Sequence, residues 1–208
     1  MAILNMEFSD KRYPLKSLGD LFQGLLLSRY REEKEDQGQL YPLVQLRDLD
    51  NLVINPSELE LVRLSLPSTE GVLLEEGDVL ITIKGASQKA SVIDESGVRA
   101  VAGQNMAVFR PNPAIKLPIV PIYLAGLLRS SVFESELVRL YRQSTGTRSI
   151  SLKQLGTVLI PLPSSEVQQH FADLFLALEA FTLASQRAVQ ARQNLMEQSL
   201  TTLLQEIQ

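Results

Sequence analysis

The side chains able to do covalent chemistry in this sequence are few and isolated. His170 is its only histidine and cysteine is absent, which excludes thiolate nucleophiles, disulfides, cysteine-based zinc sites and multi-histidine metal centres. His170 stands three residues before Asp173 in a stretch of helical spacing, and it reads as a surface histidine on a polar face. Acid–base work would fall to carboxylates and lysines, which are scattered without a pair that spacing sets apart. Gly85, Gly97 and Gly103 fit neither G-x-G-x-x-G nor G-x-x-x-x-G-K-[ST], so Lys84-Gly85-Ala86-Ser87 is predicted as a plain loop and no phosphate-cradling turn is expected. Asn112-Pro113-Ala114 shares two residues with the Asn-Pro-Pro-aromatic tetrapeptide that grips a flipped base, but the second proline and the aromatic are missing, leaving a turn. No catalytic residue, metal or cofactor is predicted.

The elements that would carry any other function divide the 208 residues in two. Residues 1–163 are expected to form an α+β globular domain with a mixed, mostly antiparallel sheet, and residues 164–208 a long helix. Within the first part, Gly77 to Ile83 is a β-branched run entered by a Gly-Asp turn and ended by Lys84-Gly85. Ala90 to Ile93 and Val98 to Ala102 flank Asp94-Glu95-Ser96-Gly97 as a hairpin candidate, and Gln104 to Arg110 continues the sheet. Over Ile119 to Tyr141 the spacing turns helical, with Ile122, Leu124, Leu127, Leu128, Phe133, Leu137, Leu140 and Tyr141 forming a stripe that can pack on that sheet.

From Ser164 onward no glycine or proline occurs. Ser164 or Ser165 can cap; if Ser165 does, Gln168 occupies the third position of a capping box, and Glu166 puts negative charge in the first turn. Val167, Phe171, Leu174, Leu178, Phe181, Ala184, Ala188, Ala191 and Leu195 recur at three and four, and the seam then shifts to Met196, Leu200, Leu203 and Ile207. A helix of about 43 residues would be ~64 Å long. Its stripe needs a partner helix, as in an antiparallel coiled coil, or else the chain folds back as two shorter helices, with polar Gln186 to Gln193 as the weak point.

Hydrophobic content of 45% with 21% charge is that of a folded protein, and no apolar run reaches the length of a membrane span. The opening MAILNMEFSDKRYP lacks the pattern of a secretory signal, so a cytoplasmic location is expected. Net charge is −4, yet between Lys84 and Lys153 ten basic residues face four acidic ones. Such a distribution can give an acidic protein a positive face, and phosphate contacts respond to the local field.

Arg12-Tyr13-Pro14-Leu15-Lys16-Ser17-Leu18-Gly19-Asp20-Leu21 and, further on, Tyr41-Pro42-Leu43-Val44-Gln45-Leu46-Arg47-Asp48-Leu49 resemble the opening and the next landmark of the target-recognition domain in the specificity (S) subunits of type I restriction-modification systems. Gly77-Asp78-Val79-Leu80 followed by Gly85 resembles their Gly-Asp-(Ile/Val)-Leu strand and loop. Gly146-Thr147-Arg148-Ser149-Ile150-Ser151-Leu152 through Ile160-Pro161-Leu162-Pro163 resembles the closing signature, and Gln168-Gln169 stands where those subunits usually have Glu-Gln at the head of a long helix. The resemblance implies a module without catalytic residues. Full-length members read a bipartite DNA site through two such domains held apart by two antiparallel helices that also dock methyltransferase subunits. This sequence has a single domain and a single helix, half of that plan.

The resemblance thus implies double-stranded DNA, methyltransferase (M) subunits and a restriction (R) subunit as partners. Base contacts are expected from Lys84, Ser87, Gln88 and Lys89 after the Gly-Asp strand and from Arg142, Gln143, Thr145, Thr147 and Arg148 before the closing signature, because arginine and glutamine pair bidentately with guanine and adenine and lysine holds phosphate. A homodimer is expected along Phe171, Leu174, Leu178, Phe181, Ala188 and Leu195, restoring the missing helix and a palindromic bipartite target. The alternative is a coiled-coil interaction scaffold, or a remnant of such a subunit, that reads no DNA. Salt separates the two, since only a DNA reader loses affinity steeply as counterions are released.

Overall fold

The computed structural model describes residues 11–32, 37–69, 71–85, 87–95, 99–140, 142–144 and 147–206. The chain divides into a compact unit that runs through Ala172 and a second unit from Asp173 onward. The strands are β1 (Arg12–Pro14), β2 (Gly19–Gln23), β3 (Gln39–Val44), β4 (Glu60–Leu64), β5 (Val79–Thr82), β6 (Lys84–Gly85), β7 (Ala90–Val92), β8 (Val101–Ala102), β9 (Met106–Pro111), β10 (Arg142–Ser144), β11 (Thr147–Ser149) and β12 (Leu159–Pro161). The helices are α1 (Pro121–Arg129), α2 (Ser131–Val138), α3 (Leu152–Leu155) and α4 (Ser165–Glu206).

The architecture is α+β, with the strands distributed over small sheets rather than one. An antiparallel sheet of order β2-β9-β5-β7 forms the centre, β4-β3-β8 flanks it, and β1-β12 and β10-β11-β6 complete the set. Among the described residues the named strands pair antiparallel except β3 with β8, and two isolated bridges, Leu25 to Gly103 and Val53 to Val92, are also parallel. Of the hairpin expected across Asp94 to Gly97, Ser96 to Val98 lie outside the described residues, and among the described residues β7 and β8 do not pair with each other. β7 instead pairs with β5, while Val101 and Ala102 run parallel to Leu43 and Val44. Both short segments are buried, with Val101 in the cluster of Tyr41, Leu43, Val62 and Leu64 and Ala102 in that of Leu80 and Val108, so long-range burial decided the pairing over the local turn.

The central sheet is apolar because β5 and most of β9 are fully buried, including Leu80, Ile81, Val108 and Phe109. α1 lies against β5 and β7, as the stripe over residues 119–141 predicts, with Leu124, Leu128, Phe133 and Leu137 buried. The Gly-Asp turn is built on Gly77, whose φ of 85° favours glycine. Asp78 follows, fully buried, and its carboxylate accepts from the Nε and Nη2 of Arg110, both at 2.8 Å, and from the Glu75 N–H at 2.8 Å.

The opening and closing motifs are one structural feature. β1 pairs with β12, placing Tyr13 opposite Ile160, and the Leu15 N–H continues the ladder to the Val158 carbonyl at 2.9 Å. α3 is opened by a capping box between Ser151 and Gln154. At the head of α4, Ser164 is the cap, its hydroxyl accepting from the Val167 N–H at 3.4 Å. Gln168 is therefore not the capping-box residue of Ser165; fully buried, it holds the segment before α1 instead.

The second unit is helix throughout. α4 shows no break across Gln186 to Gln193, where the Gln190 amide donates to Asn194 at 2.9 Å one turn on, so two shorter helices folded back on each other are not what forms. Leu174, Leu178, Phe181, Leu195, Met196, Leu200 and Leu203 are all exposed on the single chain. No helix among the described residues is long and apolar enough to cross a membrane.

Candidate nucleic-acid interface

The two segments singled out for base contacts meet in one sheet. Lys84 and Gly85, predicted as loop, form β6 and pair with Ser149 and Arg148 of β11, and β11 pairs in turn with β10, which sets Gln143 opposite Arg148 and Arg142 opposite Ser149. The junction is fixed from behind by the Ile150 N–H donating to the Ile83 carbonyl at 2.9 Å. Arg142 and Gln143 thus lie on β10 and Thr147 and Arg148 on β11, while Thr145 lies outside the described residues.

The remaining predicted contacts separate by partner. Lys84 and Ser87 are exposed, Gln88 is half-buried. Lys89 is held internally, its Nζ donating to the Asp50 carboxylate and to the Leu46 carbonyl at 3.3 Å. Two further cations of the basic stretch are structural. Arg129 donates to the carbonyls of Ala90 at 3.1 Å and Asp50 at 2.6 Å. Arg110, besides its fork onto Asp78, donates to Glu75 at 2.6 Å and the Leu73 carbonyl at 2.9 Å, and it lies over the Phe22 ring. Asp78 raises the pKa of Arg110 through that hydrogen bond, although burial opposes it. The basic excess read from composition therefore overstates the positive charge free to meet a phosphate.

Sequence reasoning missed Gln104 and Asn105, which it assigned to a strand. The strand begins at Met106, and these two residues occupy a tight turn closed by the Met106 N–H on the Gly103 carbonyl at 3.2 Å. They border a cleft with Gln23, Lys84, Ser149 and Ser151. The signal present in the sequence was the Gly-x-Asn between two apolar runs, which marks a turn.

Of the residues predicted for dimerisation, Phe171 packs inside the compact unit, its ring centroid 6.3 Å from that of Tyr123 on α1. Leu174, Leu178, Phe181, Ala188 and Leu195 lie on the helical unit and are exposed. His170 is half-buried rather than on an open polar face, with its Nε2 enclosed and the ring edge-on to Phe171.

Residues 11–192 match the family described as Type I restriction modification DNA specificity domain. The chain belongs to this family. Solved structures share the fold. A chain from a study of complex assembly and conformational transition of the type I R-M system is 22% identical with a TM-score of 0.57, covering 88% of this chain and 42% of its own. The HsdS subunit from Thermoanaerobacter tengcongensis is 21% identical with a TM-score of 0.56, covering 88% and 41%. The type I S subunit from M. genitalium is 15% identical with a TM-score of 0.54, covering 88% and 42%. This specificity-domain chain thus spans less than half the length of each of them. Among curated proteins, none matches it.

Proposed function

We propose that this chain, with one recognition domain and one long helix, is a specificity-subunit module that reads DNA without catalysis of its own and directs separate methyltransferase (M) subunits, and with them a restriction (R) subunit, to a bipartite site in cytoplasmic DNA. The observation that carries the reading is the β10-β11-β6 sheet, which joins two polar and basic segments distant in sequence into one surface. Recognition of this kind needs side chains with donor and acceptor pairs held on a rigid element, not a catalytic constellation.

The helical unit supports the second half of the proposal. A stripe of leucines and a phenylalanine exposed over α4 is costly to leave in water. Each such side chain withdrawn gives about 1.5 to 3 kcal/mol, so even a half-effective antiparallel seam exceeds an association cost of several kcal/mol. Two copies would supply two recognition domains and two helices, and their identical half-sites in inverted orientation would make the target a palindrome. The faces of α4 away from the seam, with Arg187, Arg192 and Glu197, are the docking surface proposed for the methyltransferase.

Light scattering coupled to gel filtration tests the dimer: twice 23.2 kDa is expected at micromolar concentration, and 23.2 kDa would refute it. Leu178→Asp with Phe181→Asp should return the monomer. An asymmetric methylated site would exclude the palindrome while leaving the dimer standing. The net charge of −4 and the internal ties of Arg110, Arg129 and Lys89 favour a second reading, a scaffold that reads no DNA. Duplex binding measured against salt separates the two, since a scaffold shows no slope.

A further inference from the structure

We propose that the turn between β8 and β9 is a base-reading element, in which the side-chain amides of Gln104 and Asn105 read base edges while Lys84 and Arg31 hold phosphates on either side of it. The inference rests on the DNA-reading function proposed above and assigns residues to it.

The backbone of this turn is held from several directions. The Gly103 N–H donates to the Val44 carbonyl at 3.1 Å, and the Gly24 N–H to the Met106 carbonyl at 3.0 Å. The Asn105 carbonyl accepts from both Ile83 N–H at 2.9 Å and Lys84 N–H at 3.2 Å, and the Gln104 carbonyl accepts from the Gln23 amide at 2.7 Å. A Cβ at Gly24 would collide with the carbonyl oxygens of Gly103 and Ala102, so the ends of β2 and β8 touch backbone to backbone. The ends of β2 and β3 and the segment after β5 therefore all brace residues 103–106, and a turn ordered in advance adds little entropy cost on binding.

The side chains it presents are uncommitted. Gln104 is exposed and Asn105 half-exposed, and among the described residues neither amide group bonds to the protein. An amide with a free donor and a free acceptor matches the N6 and N7 edge of adenine in the major groove. The turn stands between two clefts that share Gln104 and Asn105: one contains Lys84, the other Arg31 and Gln45. Lys84 and Arg31 are exposed and make no ion pair among the described residues, whereas Arg47, Lys89 and Arg110 all do. Lys84 is also the register partner of Ser149, which makes the turn continuous with the β10-β11-β6 surface.

The test incubates the full chain with a pool of DNA duplexes randomised over both arms of a bipartite site and sequences the bound fraction. Wild type should enrich a defined sequence. Gln104→Ala and Asn105→Ala should each flatten preference at one or two adjacent base pairs by about tenfold or more, leaving the remaining positions and the salt slope unchanged, because no phosphate contact is lost. Lys84→Ala and Arg31→Ala should instead weaken all sequences alike and lower the salt slope by about one each. The inference is overturned if the Gln104→Ala, Asn105→Ala double variant keeps its unfolding midpoint and enriches the wild-type sequence with unchanged base weights. Should Asn105→Ala shift that midpoint, Gln104→Ala alone decides between the same two outcomes, since its side chain is exposed. A wild-type chain that enriches no sequence overturns the DNA-reading function itself, and this inference falls with it.

Discussion

Gln168 and Val120 join the head of α4 to the start of α1: the Gln168 Oε1 accepts from the Val120 N–H at 2.8 Å, and its amide group donates to the Pro163 carbonyl at 3.0 Å. Gln168 is fully buried, so no water can take over these bonds. Gln168→Ala should cost about 2 to 4 kcal/mol by stranding buried backbone groups. Gln168→Glu keeps the acceptor but aims a carboxylate at the Pro163 carbonyl; its penalty should shrink as pH falls and the acid regains a donor. Urea unfolding of both variants at neutral and acidic pH measures this, with the midpoint shifting and the m value constant.

Arg110 should behave as a structural residue despite lying in the basic stretch. Arg110→Met leaves the fully buried Asp78 carboxylate without its fork, and a loss of about 3 to 5 kcal/mol is expected. Arg110→Lys should recover only part of it, since one ammonium cannot span both carboxylate oxygens and the Leu73 carbonyl. Thermal unfolding gives the size of the effect. A variant of wild-type stability but weakened DNA binding would contradict the assignment.

Lys84 and Lys89 are close in sequence but should differ in function. Lys84→Ala is expected to reduce the salt slope of duplex binding by about one, and Lys89→Ala to leave it unchanged. Loss of the pair between Lys89 and Asp50 should cost under about 1 kcal/mol, because Asp50 is largely exposed. Binding titrations across a salt series distinguish the two lysines.

Tyr123 gives the fold an alkaline limit. Burial pushes its pKa up to about 12, and its hydroxyl donates to the Pro161 carbonyl at 3.0 Å. Because the folded pKa lies above the unfolded value of about 10, the stabilisation is complete below pH 10 and is lost as pH rises toward 12, an effect of about 2 to 3 kcal/mol. Tyr123→Phe should be about 1 kcal/mol less stable at neutral pH but lose this portion of the alkaline decline. Denaturation midpoints between pH 8 and 12 are the measurement.

The sequence by itself determined the elements whose signals are local. A helical stripe uninterrupted by glycine or proline is a property of consecutive residues, and α4 runs without a break as one helix. The Gly-Asp turn and the stripe over α1 and α2 were local too: the turn rests on the positive φ of Gly77, and the stripe on apolar residues recurring at helical spacing. The α+β class followed from the sequence of those periods. Only the tertiary structure decided how the short strands pair, because two- and three-residue segments such as Val101–Ala102 and Lys84–Gly85 carry too little pattern to name a partner. It also decided which cations are free. A lysine or arginine looks the same in sequence whether it faces solvent or, like Arg110 and Lys89, meets a carboxylate from a distant turn. The turn at Gln104 and Asn105 joined the candidate surface for the same reason: its neighbours at Gln23, Ile83 and Ser149 are brought to it by long-range strand pairing, which no local spacing encodes.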